Sequence, residues 1–297
     1  MDQNNTMGNL ALYLATILIW GTSFYAIRLQ LTDVEPEVSI LFRFSIASTI
    51  LIVYCLLGKR NMRYPLKVHL RFILMGFFLF FLNFFLIYLA TRHLPTGLVS
   101  VVFSSVVIFN MINGAIFLKD RLSPLMIAGA LTGITGIVFI FLPEIATFDY
   151  QDQSLASFVL ALVATISAST GMLLSSKNQR DNLPVMQSNA WGMFYGAVIM
   201  LLYIGISGIP ITIDLSVSYL GSLFYLALFA SVLAFGFFLT LVGRIGAGNA
   251  SYASVLFPIL ALALSTWLEG YQWTTLAVLG VVLAISGNVL ILIDKQK

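Results

Sequence analysis

The sequence predicts an all-α integral membrane protein of ten transmembrane helices, arranged as two inverted five-helix repeats around a central cavity. Composition is the first reason. Of 297 residues, 60% are hydrophobic and 9% charged, where a soluble domain carries about 25% charged residues. Length is the second. Ten apolar runs, at 9–29, 37–57, 70–90, 96–118, 124–142, 155–176, 186–207, 217–241, 248–268 and 274–293, each approach the ~20 residues that a helical crossing needs. The third is a weak internal repetition that divides the chain at residues 1–143 and 144–297.

The runs are continuously apolar, without the period-two alternation of barrel strands. A helix satisfies its own backbone hydrogen bonds in lipid, so helices are expected. The first nine residues hold Asp2 and no Lys or Arg, and span one is long enough to remain in the membrane, so no cleavable leader is expected. The lone Cys55 excludes an internal disulfide and reads as a small apolar filler. The connections are short, so chemistry must occur within the bilayer or at its surface.

Charge sorts by loop. Even-numbered loops and the C-terminus hold twelve cations, among them Lys59, Arg60, Arg63, Lys177 and Arg180, against Arg28 and Arg92 on the odd side. Acids lean the other way, with Asp33, Glu35, Glu37, Asp214 and Glu269 on the odd side. By the positive-inside rule both termini are expected to be cytoplasmic. The expected location is a plasma membrane, of the bacterial inner-membrane kind.

The two halves share spaced glycines. Gly129, Gly133 and Gly136 in span five can be set against Gly280, Ala284 and Gly287 in span ten, and Pro36 against Pro184 at a shift of 148. An odd number of helices per repeat places the copies in opposite orientations. Secondary transporters recurrently use this design, with the ligand site near the midplane between the halves. Small residues four apart let helices approach closely, so spans five and ten read as packing elements or as the contact of a homodimer.

Arg43 is the one charge that cannot be placed near an end of an apolar run. A cation inside a membrane helix costs at least ~2.5–3.5 kcal/mol on insertion scales and marks a ligand site by default. The alternative is an arginine that snorkels or bonds backbone carbonyls. Around it the candidate substrate-binding residues are Trp20 and Ser23 of span one, Asn83 of span three, and Ser104 and Asn110 of span four. Trp191 and Tyr195 of span seven, Tyr225 of span eight and Tyr252 of span nine complete the set. At the shift of 148, Trp191 takes the register position of Arg43. Arg presents a planar fork to carboxylates, and Trp and Tyr add apolar area with one polar handle. The expected ligand is therefore a small solute bearing a carboxylate, such as an amino acid or organic acid. For each Asn, Ser or Tyr alone, interhelical hydrogen bonding is the competing role. The aromatic-rich span three, Phe72 to Tyr88, reads as packing or lipid contact.

Trp20-Gly-Thr-Ser-Phe24, Leu41-Phe-Arg43-Phe44, Lys119-Asp-Arg-Leu122, Phe257-Pro258 and Trp267-Leu-Glu269-Gly270 resemble, in order and spacing, the EamA-like branch of the drug/metabolite transporter superfamily. The resemblance covers nearly the whole chain. It implies a ten-helix carrier with spans one to four and six to nine around the cavity, and export or exchange of metabolites. Where the family often has a proline in span four to match Pro258, this chain has Val106 or Val107, and Lys119-Asp120 stands where a Glu is common.

The competing classes lack their parts. His69 and His93 lie at span ends, so no intramembrane pair can hold haem. There is no acidic cluster for a metal and no phosphate-cradling Gly-x-x-x-x-Gly-Lys loop. Rings of like groups that would suggest a channel filter are not seen. A secondary carrier of small metabolites is the leading expectation, with efflux of drugs or aromatic compounds next. No cofactor, metal or nucleic acid is expected, and no enzymatic activity. With no acid near the centre of a span, no intramembrane carboxylate is expected to carry protons; Glu269 lies at an outer edge.

Overall fold

A computed structural model describes residues 3–118, 122–146, 153–238, 240–241 and 253–294, and every regular element among them is helical. Ten helices follow the ten apolar runs. They are α1 Gln3–Arg28, α2 Pro36–Leu57, α3 Leu66–Ala90, α4 Thr96–Phe117, α5 Pro124–Ala146, α6 Gln153–Arg180, α7 Val185–Ser207, α8 Val217–Phe238, α9 Ala253–Leu268 and α10 Thr275–Asp294. Seven are long and apolar enough to cross a bilayer, and apolar stretches of α5, α9 and α10 are shorter. Leucines 10, 14 and 18 of α1 and Ile127, Leu131, Ile134 and Val138 of α5 face outward, as a lipid-facing surface requires. This is a multi-pass membrane protein.

Helix starts follow local chemistry. Pro36 occupies the first turn of α2 behind an extended Glu35, where its missing N–H costs nothing. Ser216 accepts from Tyr219 N at the head of α8, and Ser123 and Thr274 do the same for α5 and α10. Gly208 closes α7 at φ +66°, a conformation a Cβ would disfavour.

Three of the described helices depart from regular α geometry. α4 breaks at Ser105, whose hydroxyl bonds Val102 O, beside Val106 and without a proline. Pro258 sits inside α9. In α3 and α8 the middle turns widen to π-helix, at Gly76–Leu82 and Tyr225–Leu233.

The packing pairs interleave the chain. α1 lies against α9 and α8, α6 against α4 and α3, α2 against α7, and α5 against α10. The glycine-rich spans meet each other. A Cβ on Gly287 would stand 2.4 Å from Gly129 O, and one on Gly136 2.5 Å from Gly280 O. The glycine faces, expected to serve packing or a homodimer, are thus occupied within one chain. Gly76 of α3 similarly meets the backbone of Gly192 and Gly196 in α7.

Loops gather at two ends. The acid-rich end holds Glu35 paired with Arg92 at 3.0 Å and Arg28 Nη1 bonded to Thr91 O. The basic end holds Arg71 paired with Asp181 at 2.7 Å.

Candidate functional site

Arg43 lies two turns inside the N-terminus of α2, facing α3 and α8, with 2% of its surface exposed. Its Nε donates to Ser231 Oγ at 3.0 Å. Ser231 sits in the π-helical stretch of α8 and donates its own hydrogen to Leu226 O, five residues back. With its hydrogen committed there, the Ser231 hydroxyl presents its lone pairs to the guanidinium. π-Helical turns are frequent at functional sites. The rings of Phe84 and Phe44 lie 4.3 and 5.2 Å from the guanidinium carbon, each such contact worth about 0.5–2 kcal/mol.

These contacts do not complete the guanidinium. Nη1 has no hydrogen-bond partner. Among the described residues no carboxylate pairs with it; the two ion pairs lie at the ends of the bundle. Tyr88 of α3, wholly buried, is within electrostatic reach of the guanidinium, yet its hydroxyl also completes no hydrogen bond. One turn toward the acid-rich end, Ser39 Oγ and Tyr219 Oη are 2.9 Å apart. Gln30 Nε2 holds Tyr219 O and Ser222 Oγ there at 2.8 and 2.6 Å.

The other sequence candidates divide. Trp20 joins the Arg43 region through aromatic rings, contacting Phe235, Phe238 and Phe257 at 5.1–6.3 Å. Phe235 meets Phe80, and Phe80 meets Phe44. Trp20 Nε1 donates to Ala230 O at 3.3 Å. Tyr225 bonds Thr22 Oγ1 and Ile19 O, tying α8 to α1. Ser23 bonds Trp20 O of its own helix. Asn83 is buried in α3, with Nδ2 on Leu79 O and Oδ1 unpartnered. Ser104 receives Asn288 Nδ2 from α10 at 3.1 Å. Asn110 accepts from Ser169 Oγ, which in turn accepts from Asn113 Nδ2, joining α4 to α6.

Trp191 and Tyr195 stand apart from Arg43. Trp191 Nε1 donates to Met62 O, Tyr195 Oη meets His69 Nδ1 at 2.9 Å, and the Trp191 and His69 rings are 4.7 Å apart. This second cluster lies near the basic end, where α7 begins. Tyr252 lies outside the described residues.

Sequence reasoning missed Tyr88, Phe84, Tyr219 and Ser231. Of these, Tyr88 left a faint signal, as a hydroxyl in an aromatic-rich, mostly apolar run. It also missed the interhelical role of Glu269. One oxygen of that carboxylate accepts from Thr96 N and Thr96 Oγ1 at 2.9 Å each and from Ser265 Oγ at 2.6 Å. α9 thereby caps the N-terminus of α4. A cavity of about 340 Å³, lined by Arg28, Leu31, Thr32, Val34 and Arg92, opens at the same end.

The family model of the EamA-like transporter family matches the chain twice, over residues 6–142 and 155–293. Protein PagO of Salmonella typhimurium is 24% identical over 285 residues, covering 96% of this chain and 93% of its own. A Salmonella typhimurium protein named as a probable amino-acid metabolite efflux pump is 27% identical, with 93% and 92% covered. The uncharacterized inner membrane transporter YedA of Escherichia coli K12 is 27% identical, with 93% and 90% covered. A crystal structure aligns with TM-score 0.69 over 96% of each chain at 18% identity, which shows a shared fold.

Proposed function

Because the chain belongs to the EamA-like transporter family, and is therefore a membrane transporter and not an enzyme, we propose that it is a secondary carrier that exports or exchanges a small carboxylate-bearing metabolite, an amino acid or organic acid. The observation that carries the substrate class is Arg43: a buried cation with a free donor and no acidic partner among the described residues. Burying an ion without a counter-charge is expensive, and an anionic ligand would supply the missing charge. The relative named as an amino-acid metabolite efflux pump favours the same class.

The mechanism we propose is alternating access between two inverted halves, residues 1–143 and 144–297. The paired family matches support two copies. So does the packing, in which α1–α9 and α6–α4 correspond when each helix is exchanged with the one five later, as do α3–α7 and α8–α2. The acid-rich end is the outer one in this reading, with both termini cytoplasmic. The guanidinium is sealed from both sides, as an occluded carrier would hold it. The aromatic rings around Trp20 favour a second reading, a substrate with an aromatic body.

Counterflow in proteoliposomes tests both. Vesicles are preloaded with unlabelled amino acids or organic acids and entry of the labelled solute is followed. Saturable exchange that collapses in Arg43→Gln, in a protein still monodisperse, is expected. Exchange unaffected by Arg43→Gln would make Arg43 structural and refute the carboxylate site. Preference for phenylalanine over alanine as the exchanged solute would select the aromatic reading.

A further inference from the structure

We propose that Tyr88 and Arg43 together form a carboxylate clamp, in which the Tyr88 hydroxyl and Arg43 Nη1 donate to the same carboxylate and so distinguish acids from amides and amines. The inference rests on the carrier reading above and adds the second donor. Both side chains are almost fully buried, at 0% and 2% exposure, and each ends in a polar atom with no partner. Both donors belong to one neighbourhood between α2 and α3, since each side chain lies in the electrostatic reach of the other.

Two donors cannot satisfy one another fully, because a guanidinium has no acceptor. The phenol oxygen stands within hydrogen-bonding reach of the guanidinium, yet no well-formed bond closes between them. What both lack is an acceptor placed between them. Buried polar atoms are nearly always paired, so two orphan donors side by side define the chemistry of the missing group. A carboxylate fits, with several lone-pair sites for donors. Ser231 holds Nε from the far side and Phe84 lies against the guanidinium. The fork is thereby oriented, leaving Nη1 as the open position. The Ser39–Tyr219 pair closes the clamp one turn nearer the acid-rich end, so a ligand from that side enters when this pair parts.

A hydroxyl that only supports the fold would be missed on removal. The Tyr88 hydroxyl has no partner to lose, so Tyr88→Phe should leave thermal stability unchanged or raise it. The ligand alone should register the loss, because a hydrogen bond to a charged group contributes enough for about a tenfold or greater change in affinity.

The experiment is counterflow with the full chain in proteoliposomes. It uses the twenty amino acids and a series of short mono- and dicarboxylic acids, each matched with its amide or decarboxylated amine. The expected result for Tyr88→Phe is a KM for the exchanged acid raised about tenfold or more, kcat little changed, weaker selection against the amide, and a melting temperature at or above wild type. Arg43→Gln abolishes exchange. Collapse in Arg43→Gln with wild-type KM and selectivity in Tyr88→Phe would overturn the clamp while keeping Arg43 as the carboxylate site. A lowered melting temperature with unchanged selectivity would make Tyr88 structural and overturn the clamp as well. Full exchange in Arg43→Gln would overturn the clamp while keeping the carrier, whereas no exchange of any acid by the wild type would refute the carrier reading and the clamp with it.

Discussion

Glu269 offers the clearest test of how the acid-rich end is held shut. Its carboxylate oxygen takes three hydrogen bonds, two of them from Thr96 at the first turn of α4. It also places a negative charge at that helix N-terminus. An N-cap contributes about 1 kcal/mol and the favourable dipole contact about 0.3–1 kcal/mol. With a share for the Ser265 bond, Glu269→Ala should cost the closed arrangement of α4 against α9 about 2 kcal/mol. That is a roughly 30-fold shift toward any state in which the two helices part. The close seat of Gly97 on Leu262 and Ser265 means the helices must separate before the buried Ser100 below can be reached. In a Cys55→Ser background, Ser100→Cys would be labelled with a membrane-impermeant maleimide from the outer side. The Glu269→Ala rate should exceed the reference by about 10–30-fold, with Glu269→Gln intermediate because the amide oxygen still accepts. Equal labelling rates in all three folded proteins would refute the latch.

Four further outcomes follow from the packing and charge. Gly287→Val, whose Cβ would stand 2.4 Å from Gly129 O and Gly133 N, should lower thermal stability by about 1–3 kcal/mol. Gly221→Ala in α8, with nothing within 4 Å, should be neutral or stabilising by up to ~1 kcal/mol; scanning fluorimetry reads both. Asn61→Cys should resist an impermeant thiol reagent in right-side-out vesicles while Asp214→Cys reacts, in a Cys55→Ser background; the reverse pattern would invert the topology. Arg43→Lys should not restore exchange in the counterflow assay, since an ammonium cannot give Nε to Ser231 and a second donor to the ligand in one plane.

Much of the fold was legible because membrane helices are written in long apolar runs, and Arg43 was legible because a charge within such a run is costly. The helix irregularities were less so. The π-helical turns of α3 and α8 and the break at Ser105 depend on close contacts, such as Gly76 on α7, that no local pattern announces. Trp191 illustrates a different failure. It takes Arg43's register position in the second half, which suggests that the two share a site. Yet α2 starts at the acid-rich end and α7 at the basic end, so equal depth from the helix start puts the two residues toward opposite faces. Trp191 accordingly meets Met62 and His69. Tyr88 was hidden by its company, because a phenol among phenylalanines and leucines reads as packing until its hydroxyl is seen to have no partner.

The polar residues buried in this bundle separate by whether the chain itself satisfies them. Ser104 with Asn288, and Asn110 with Ser169 and Asn113, exchange hydrogen bonds between helices. Such pairs average about 0.6 kcal/mol and need no ligand to explain them. Gln30, Glu37, Gln187 and Ser188 carry unpartnered atoms but lie toward helix ends or connections, where polar surroundings are near. Asn83 keeps one unpartnered acceptor oxygen in mid α3; Arg43 and Tyr88 belong to neither group. They are well buried, they converge from two helices on one neighbourhood, and one of them is charged. A donor left unmet there costs about 1–3 kcal/mol, and more when it is charged. Replacing Arg43 with an apolar residue would remove that cost outright. Its retention alongside Tyr88 makes sense physically if an anion occupies the site during part of the working cycle. The substrate-free state should then be the less stable one. Saturating the wild type with an exchanged acid should raise its melting temperature, by about 2.7 kcal/mol of stabilisation at a ligand concentration 100 times Kd. The same addition should leave Arg43→Gln where it was. A ligand-induced rise of equal size in Arg43→Gln would place the anion elsewhere.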